Sequence, residues 1–246
     1  MTATTLDDLV AEGRRVGVAA ERAGLRLRIM GGVGVALSCP SAGADHLRRS
    51  YSDLDVVGRR RDAKQIAGFL QSLGYRPDAE FNALQATGRM LFWDPERERQ
   101  LDVFLDALEM CHRIDLSRRL DAPGPALAPA DLLLCKLQVV ELNEKDLVDI
   151  AALLSDHELS ASGDRGIDVE YVAALTASDW GLWRTATLGL QRAGEHFEAR
   201  PPLAPARAKA AALGHRLEQA PKSLAWRARA RIGERKCWYR LPEEKG

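Results

Sequence analysis

The chain has 246 residues, 46% of them hydrophobic and 28% charged, and its 35 basic and 35 acidic side chains cancel to a formal net charge of zero. This length exceeds the roughly 100–150 residues of a common domain, so it predicts one larger domain with an appendage or two small domains. The composition is that of a globular protein, and no apolar run reaches the roughly 20 residues of a membrane span.

The first half of the chain predicts strands and helices that alternate. Apolar residues repeat at helical spacing from Leu6 to Ala23, and residues 25–30 alternate as a strand that runs into Gly31 and Gly32. The apolar residues after these glycines favour a helix. A second strand follows over residues 54–57 and a further helix over 62–73. One or two extended segments over residues 75–81 and 84–93 and a third strand over 100–105 come next. The turn residues Asp94 and Pro95 predict a hairpin between the segment that ends at Trp93 and the third strand. This β-α-β-β order predicts an α/β (α+β) fold with a small mixed sheet.

The second half of the chain predicts helices. Pro123, Pro125 and Pro129 mark a linker, and the apolar stripes that follow predict a helical pair. From Val169 onward the pattern is helical and rich in alanine and arginine. We therefore predict a core, a helical pair that completes an active-site cleft, and a basic helical C-terminal region over residues 1–120, 121–160 and 161–246.

The C-terminal region concentrates positive charge. Residues 205–240 hold ten lysines and arginines but only two acids, a local balance of +8 that leaves −8 for the rest of the chain. Trp226, Trp238 and Tyr239 lie among these cations, a pattern that suits RNA. The alternatives are a solvated helix face and aromatic packing in a core.

No secretory signal is indicated, because the first fifteen residues carry Asp7, Asp8 and Glu12 and lack an apolar block, and a cytoplasmic location is therefore expected. The four cysteines are widely spaced and form no zinc-ligand pattern in the sequence, so reduced thiols are expected. His112 is expected to be a structural residue.

Two carboxylates share one side of the second strand. Asp53 and Asp55 are two residues apart and project to the same face, while Leu54 and Val56 point into the core. Such a pair is costly unless a cation lies beside it. Magnesium is a hard ion that takes one or two protein carboxylates and completes its shell with water and substrate phosphates. The pattern therefore indicates phosphoryl or nucleotidyl transfer with Mg²⁺ or Mn²⁺.

Residues 25–155 resemble the nucleotidyltransferase superfamily that includes DNA polymerase beta and the aminoglycoside nucleotidyltransferases. The resemblance rests on a glycine pair, an Asp-x-Asp strand and a later strand with one more acid, Asp102. It implies that Gly31 and Gly32 approach the triphosphate of an NTP, and that Asp53, Asp55 and Asp102 hold the metal. Asp102 would also act as the base on the acceptor hydroxyl, and pyrophosphate would leave.

The sequence departs from this family in two places. Val33 stands where the family often has serine or threonine, so either a hydroxyl contact to phosphate is missing or Ser38 or Ser52 supplies it. The connection from Gly32 to the first aspartate is longer than in polymerase-like members, and the inserted loop carries Arg48 and Arg49, which could shape the nucleotide site. Asp106 is an alternative to Asp102 as the third carboxylate, although it falls at the end of the strand.

Residues 130–137 and 144–150 resemble the helical signature of abortive-infection-type nucleotidyltransferases, some of which are toxins. By that resemblance Lys136 would contact the nucleotide phosphates, and Lys145, with two nearby aspartates, would complete the cleft. The alternatives are a snorkelling Lys136 and a surface ion pair of Lys145 with Asp149.

These observations predict a metal-dependent nucleotidyltransferase that moves a nucleoside monophosphate from an NTP to an acceptor hydroxyl. The acceptor could be tRNA or a small molecule, and a cognate antitoxin or a second copy of the chain is a further partner to consider; a membrane is not expected. The alternative is a non-catalytic module of the same fold that binds nucleotides or a toxin–antitoxin partner.

Overall fold

The computed structural model describes residues 5–84, 88–163 and 165–240. The chain divides into two compact units. The first contains the residues up to 43 together with 48–108 and 115–128, and the second contains 44–47, 109–114 and the residues from 129 onward.

The first unit is built on a small mixed sheet. Its helices and strands are α1 (Leu9–Arg22), β1 (Leu27–Met30), α2 (Gly31–Ser38), β2 (Asp53–Gly58), α3 (Ala63–Ser72), β3 (Arg76–Pro77), α4 (Ala79–Leu84), β4 (Arg89–Asp94) and β5 (Arg99–Leu105). Among the described residues five strands pair in the order β1-β2-β5-β4-β3. Strands β2 and β5 are parallel and the other neighbours are antiparallel. The predicted mixed sheet and the β4–β5 hairpin are confirmed.

One face of this sheet is the apolar core of the first unit. Leu54 and Val56 of β2 are buried in it, and side chains from α1, α3 and the neighbouring strands join them: Val16, Ala20, Leu27, Ile29, Ile66, Leu70, Phe92, Leu101 and Val103. Strict alternation along β2 leaves Asp53 and Asp55 on the opposite face, where both are half-buried. The core therefore fixes the side on which the acids lie.

The expectation of an extended segment over residues 75–81 is wrong for its second part. Strand β3 is only two residues long, and α4 begins at Ala79. The Asp78 carboxylate accepts a hydrogen bond from the backbone N–H of Phe81 at 2.9 Å, as a helix-capping aspartate does. Residues 85–87 of the second predicted segment lie outside the described residues, and β4 begins at Arg89.

Two short strands, β6 (Ala107–Glu109) and β7 (Arg113–Asp115), precede the helices of the second unit. These helices and their short strands are α5 (Pro129–Leu137), α6 (Glu144–Asp156), β8 (Leu159–Ser160), β9 (Ile167–Asp168), α7 (Val169–Ser178), α8 (Trp180–Glu198), α9 (Ala204–Gln219) and α10 (Leu224–Ile232). The predicted helical C-terminal region is confirmed. Pro129 begins α5, where its missing N–H has no intrahelical partner to lose.

Polar residues start several of these helices. The side chains that accept a hydrogen bond from the first turn are Asn143 before α6, Asp168 before α7, Asp179 before α8 and Ser223 before α10. Such caps satisfy backbone donors that a helix leaves open at its N-terminus. Within the described ranges, no helix has both the length and the apolar character that crossing a membrane requires.

Candidate active site

The strand register brings three carboxylates to one face of the sheet. In the parallel pairing of β2 with β5, Asp55 lies opposite Asp102, and Asp53 lies opposite Gln100. Residues opposite each other on neighbouring strands project to the same side, so all three acids lie on the face away from the apolar core. Asp102 is only 1% exposed. The face therefore carries acidic groups at neighbouring positions, and one of them is buried.

Arg89 balances the charge of the buried acid. Its Nε and Nη2 atoms both donate to Oδ1 of Asp102, at 2.9 Å and 2.7 Å. In the β4–β5 hairpin, Leu91 lies opposite Asp102, and Arg89 is two residues earlier on the same face. The rings of Phe81 and Phe104 flank the guanidinium at 5.5 Å and 5.4 Å. Sequence reasoning missed Arg89, although the predicted hairpin and the alternation of β4 carried the signal.

The glycine pair makes room for two charged side chains. A Cβ atom on Gly31 would lie 2.2 Å from Oδ2 of Asp55, and one on Gly32 would lie 1.7 Å from Nη2 of Arg49. Gly31 also has a φ of +62°, in the left-handed region that favours glycine. The sequence therefore needs glycine at both positions for steric reasons. Ser52 is exposed, and its hydroxyl lies 3.3 Å from Oδ1 of Asp53.

Asp106, the alternative third carboxylate, lies beyond the end of β5. Its φ of +66° turns the chain out of the strand direction. Its Oδ1 accepts a hydrogen bond from the backbone N–H of Arg60 at 3.1 Å, and its own N–H donates to the carbonyl of Gly58 at 2.9 Å. These contacts stabilise a loop, and the register favours Asp102 as the partner of Asp55.

In the second unit, Lys136 of α5 joins two acids of α6. Its Nζ lies 3.0 Å from Oδ1 of Asp146 and 2.8 Å from Oδ2 of Asp149. Burial by itself lowers the pKa of Lys136, but the charges of Asp149 and Asp146 outweigh burial and raise it. Lys136 is therefore charged and is held by its two aspartates, and the three side chains form a triad. Lys145 lies exposed in the first turn of α6. The predicted phosphate contacts of both lysines stay predictions.

The aromatic residues of the C-terminal region pack against one another. The ring of Trp226 meets that of Trp183 edge-on at 5.1 Å, and Trp238 meets Trp180 at 6.0 Å. Arg229 lies over the face of Trp180 at 4.6 Å. Aromatic packing, the alternative to a base-stacking surface, is what these contacts support.

His112 and the cysteines have the structural environments that were expected. His112 is buried. Its backbone N–H donates to Oε1 of Gln138 at 3.0 Å, and its ring Nε2 lies 2.8 Å from the Thr185 hydroxyl. Burial lowers the pKa of His112. The cysteines at positions 39, 111, 135 and 237 are reduced thiols, of which the first three are buried and the last is exposed.

The acidic face fits a hard metal ion by the chemistry of its donors. Among the described residues, no group of three His, Cys, Asp or Glu side chains is gathered as a complete metal site. Magnesium does not require one, because it commonly takes one or two protein carboxylates and obtains the remaining oxygens from substrate phosphates and water. Asp53 and Asp55 offer carboxylate oxygens on a half-buried strand face beside a glycine.

A glycine turn after β1 with acids on β2 and on the parallel strand β5 is the arrangement that the resemblance to nucleotidyltransferases implied. Several solved structures are similar to this chain over part of its length. The antibiotic-resistance factor ANT(2'')-Ia is 14% identical, with 69% of this chain and 94% of that chain covered and a TM-score of 0.43. The lincosamide antibiotic adenylyltransferase LnuA is 16% identical, with 61% and 97% covered and a TM-score of 0.43.

The Megavirus polyadenylate synthase is 13% identical, with 72% of this chain and 39% of that chain covered and a TM-score of 0.35. These are similarities of fold. No family model matches the chain, and no curated protein matches it in sequence.

Proposed function

We propose that this protein is a metal-dependent nucleotidyltransferase that transfers a nucleoside monophosphate from an NTP to an acceptor hydroxyl and releases pyrophosphate. The observation that carries the proposal is the β2–β5 register, in which Asp55 lies opposite Asp102 on the face that also holds Asp53. Carboxylates at neighbouring positions of a sheet repel one another, so a cation between them is favourable. A half-buried acidic face next to a glycine turn suits a magnesium nucleotide better than it suits a purely structural role.

In this proposal each residue of the site has one role. Asp53 and Asp55 would hold Mg²⁺ or Mn²⁺, which when bound would neutralise the phosphate oxygens. Gly31 and Gly32 would let the triphosphate approach the backbone, and Ser52 would supply a hydroxyl contact to phosphate. Asp102 would accept the proton of the acceptor hydroxyl, and Arg89 would keep this carboxylate oriented.

The reaction is an in-line displacement at the α-phosphorus. The acceptor oxygen forms a bond to that phosphorus while its proton passes to Asp102. The bond from the α-phosphorus to the oxygen that bridges to the β-phosphate breaks, and its electron pair leaves with pyrophosphate. Positioning and charge neutralisation account for most of the catalysis of such transfers.

We propose a small hydroxyl-bearing molecule as the acceptor. The contacts among the C-terminal tryptophans support this choice over tRNA, because rings that pack on each other have less face to offer to bases. The ion pairs of Lys136 with its two aspartates support a structural role for this lysine beside its predicted phosphate contact, and Lys145 remains a proposed phosphate contact from the exposed first turn of α6.

The test is label transfer from each α-labelled NTP with magnesium, to a panel of hydroxyl-bearing small molecules and separately to total tRNA. Asp55→Asn and Asp102→Asn are expected to lower transfer by at least about 100-fold. Asp106→Asn is the matched control, because asparagine tolerates the left-handed φ at this position. It should retain wild-type transfer.

Three results would contradict parts of this proposal. Equal activity in the Asp55→Asn variant would remove the metal mechanism. Transfer to tRNA alone would overturn the choice of acceptor. A wild-type protein that neither transfers label nor binds any NTP would favour the non-catalytic module.

A further inference from the structure

The guanidinium of Arg49 occupies the volume in which a side chain at position 32 would lie. A Cβ atom on Gly32 would be 1.7 Å from Nη2, 2.7 Å from Cζ and 3.2 Å from Nη1 of Arg49. Real Cβ atoms essentially never come closer than 3.0 Å to a neighbouring heavy atom. Arg49 therefore lies directly against the backbone of Gly32, and the absence of a side chain there is what admits it.

The adjacent glycine admits an acid to the same place. A Cβ atom on Gly31 would meet Oδ2 of Asp55 at 2.2 Å and its Cγ at 3.1 Å. Two consecutive glycines thus bring a carboxylate and a guanidinium against one short stretch of backbone. The carboxylate is the proposed metal ligand, so the guanidinium lies beside the metal position. Metal and guanidinium would offer two positive groups to one polyanionic ligand.

The position of Arg49 is fixed by its own neighbours in the chain. Its Nη1 donates to the carbonyl of Ser50 at 3.0 Å, and its Cζ lies 4.4 Å from the centre of the Tyr51 ring. Arg49 is half-buried, whereas Arg48 is exposed and its Nη2 donates to the carbonyl of Gly43 at 3.3 Å. Adjacent arginines therefore have different environments, and one of them points to the glycine pair.

We propose that Arg49 binds the β- and γ-phosphates of the NTP and neutralises the charge that develops on the departing pyrophosphate; this inference rests on the proposed nucleotidyl transfer. A guanidinium presents a planar fork of donors that matches two phosphate oxygens, and it stays charged at every physiological pH. The half-buried setting strengthens such a contact relative to one in open water. Arg49 would thus select triphosphates over monophosphates.

The experiment measures binding by calorimetry in the presence of magnesium, with the slowly reacting analogue α,β-methylene-ATP, with pyrophosphate and with AMP. Arg49→Ala is expected to weaken the triphosphate analogue and pyrophosphate by about 10- to 100-fold and to leave AMP within about twofold. Arg49→Lys should recover part of the loss, because it keeps the charge without the fork. Arg48→Ala, the matched control, should bind all three ligands as the wild type does.

Gly32→Ala is a second variant, and because Gly32 is itself a proposed phosphate contact, it is measured alone and together with Arg49→Ala. Its methyl group would displace the guanidinium, so its binding profile should copy that of Arg49→Ala, and the double variant should be no weaker than either single one. Thermal unfolding of each variant identifies any that fails to fold. If Arg49→Ala fails to fold, the ligand binding of Arg49→Lys is compared with that of the wild type instead.

The outcomes separate the two proposals. If the wild type binds the triphosphate analogue and Arg49→Ala binds it equally well, the role of Arg49 is overturned and nucleotidyl transfer stands. If Arg49→Ala weakens AMP as much as pyrophosphate, Arg49 is a structural residue and its proposed role is again overturned. If the wild type binds none of the ligands and transfers no label, nucleotidyl transfer fails and the role of Arg49 fails with it.

Discussion

Replacing Lys136 by methionine would leave two acids of α6 without their shared cation. Methionine keeps most of the length and volume of the lysine stem, so the change removes charge with little loss of packing. The lysine side chain is 14% exposed, and those of Asp146 and Asp149 are 13% and 2% exposed. The carboxylate of Asp149 is therefore the group most affected.

The expected cost is about 3 kcal/mol in the free energy of unfolding. Removing one partner of a buried ion pair commonly costs about 3–5 kcal/mol, because it leaves an uncompensated charge. We take the lower end, since Asp146 also accepts a hydrogen bond from the backbone N–H of Asn143 at 3.3 Å and Asp149 has further partners. For a chain of this length, the loss corresponds to a decrease in Tm of about 6–12 °C.

The raised pKa of Lys136 determines the pH at which the variant is compared with the wild type. A lysine whose pKa is higher in the folded state contributes its full stabilisation below its ordinary value of 10.5. That contribution is lost only as the pH rises through the folded-state pKa. The difference between wild type and Lys136→Met should therefore be constant from about pH 7 to 9 as far as Lys136 is concerned.

The assay is urea unfolding at pH 7.5, with Lys145→Met as the matched control. Lys145 is exposed near the same two acids, and its replacement should change the unfolding free energy by less than about 0.5 kcal/mol. Adding Asp149→Asn to Lys136→Met should recover at least about 1 kcal/mol, because it removes the buried charge. If Lys136→Met cost less than about 1 kcal/mol, or if the double variant were no more stable than the single one, the triad would not be a stabilising unit.

Three further predictions concern other buried groups, and urea unfolding checks each of them. Arg89→Met should cost about 1–3 kcal/mol, since Asp102 loses two donors while the partly exposed guanidinium is screened by water; a cost near zero would show that other contacts suffice. Tyr75→Phe should cost about 1.5–3 kcal/mol, because the phenol donates to the fully buried Glu12 carboxylate at 2.6 Å; an unchanged midpoint would refute this. Burial lowers the pKa of His112, so its unfolded form binds a proton more readily, and wild-type stability should fall by about 1 kcal/mol more than that of His112→Gln between pH 7.5 and 5.5. Parallel pH dependence of the two proteins would contradict that sign.

The amount of the fold that could be predicted differs between regions of the chain. Strand β2 was predicted because alternation at Leu54 and Val56 is a local property of the sequence. Helix α4 was missed because its signal is a single capping residue, Asp78, in a segment that otherwise suits an extended chain. The pairing of α5 with α6 could not be predicted in detail, because the sequence offered Lys145 as an equally plausible partner of Asp149.

The sequence by itself determined where most strands and helices of the sheet unit lie, with α4 as the exception, and which side of β2 carries the acids. It also required glycine at positions 31 and 32 if bulky charged groups were to approach the backbone there. These properties follow from periodicity and from the chemistry of single residues, and they involve neighbours within a few positions.

Only the tertiary structure decided which groups meet. It placed Asp102 opposite Asp55, turned Arg89 onto Asp102 and set Arg49 against Gly32. The pairing of distant strands depends on how the whole apolar face packs, and a shift of one residue would move every acid to the other side. Local propensity therefore determines which strands carry the acids, and the packing of the core determines the register in which these strands pair.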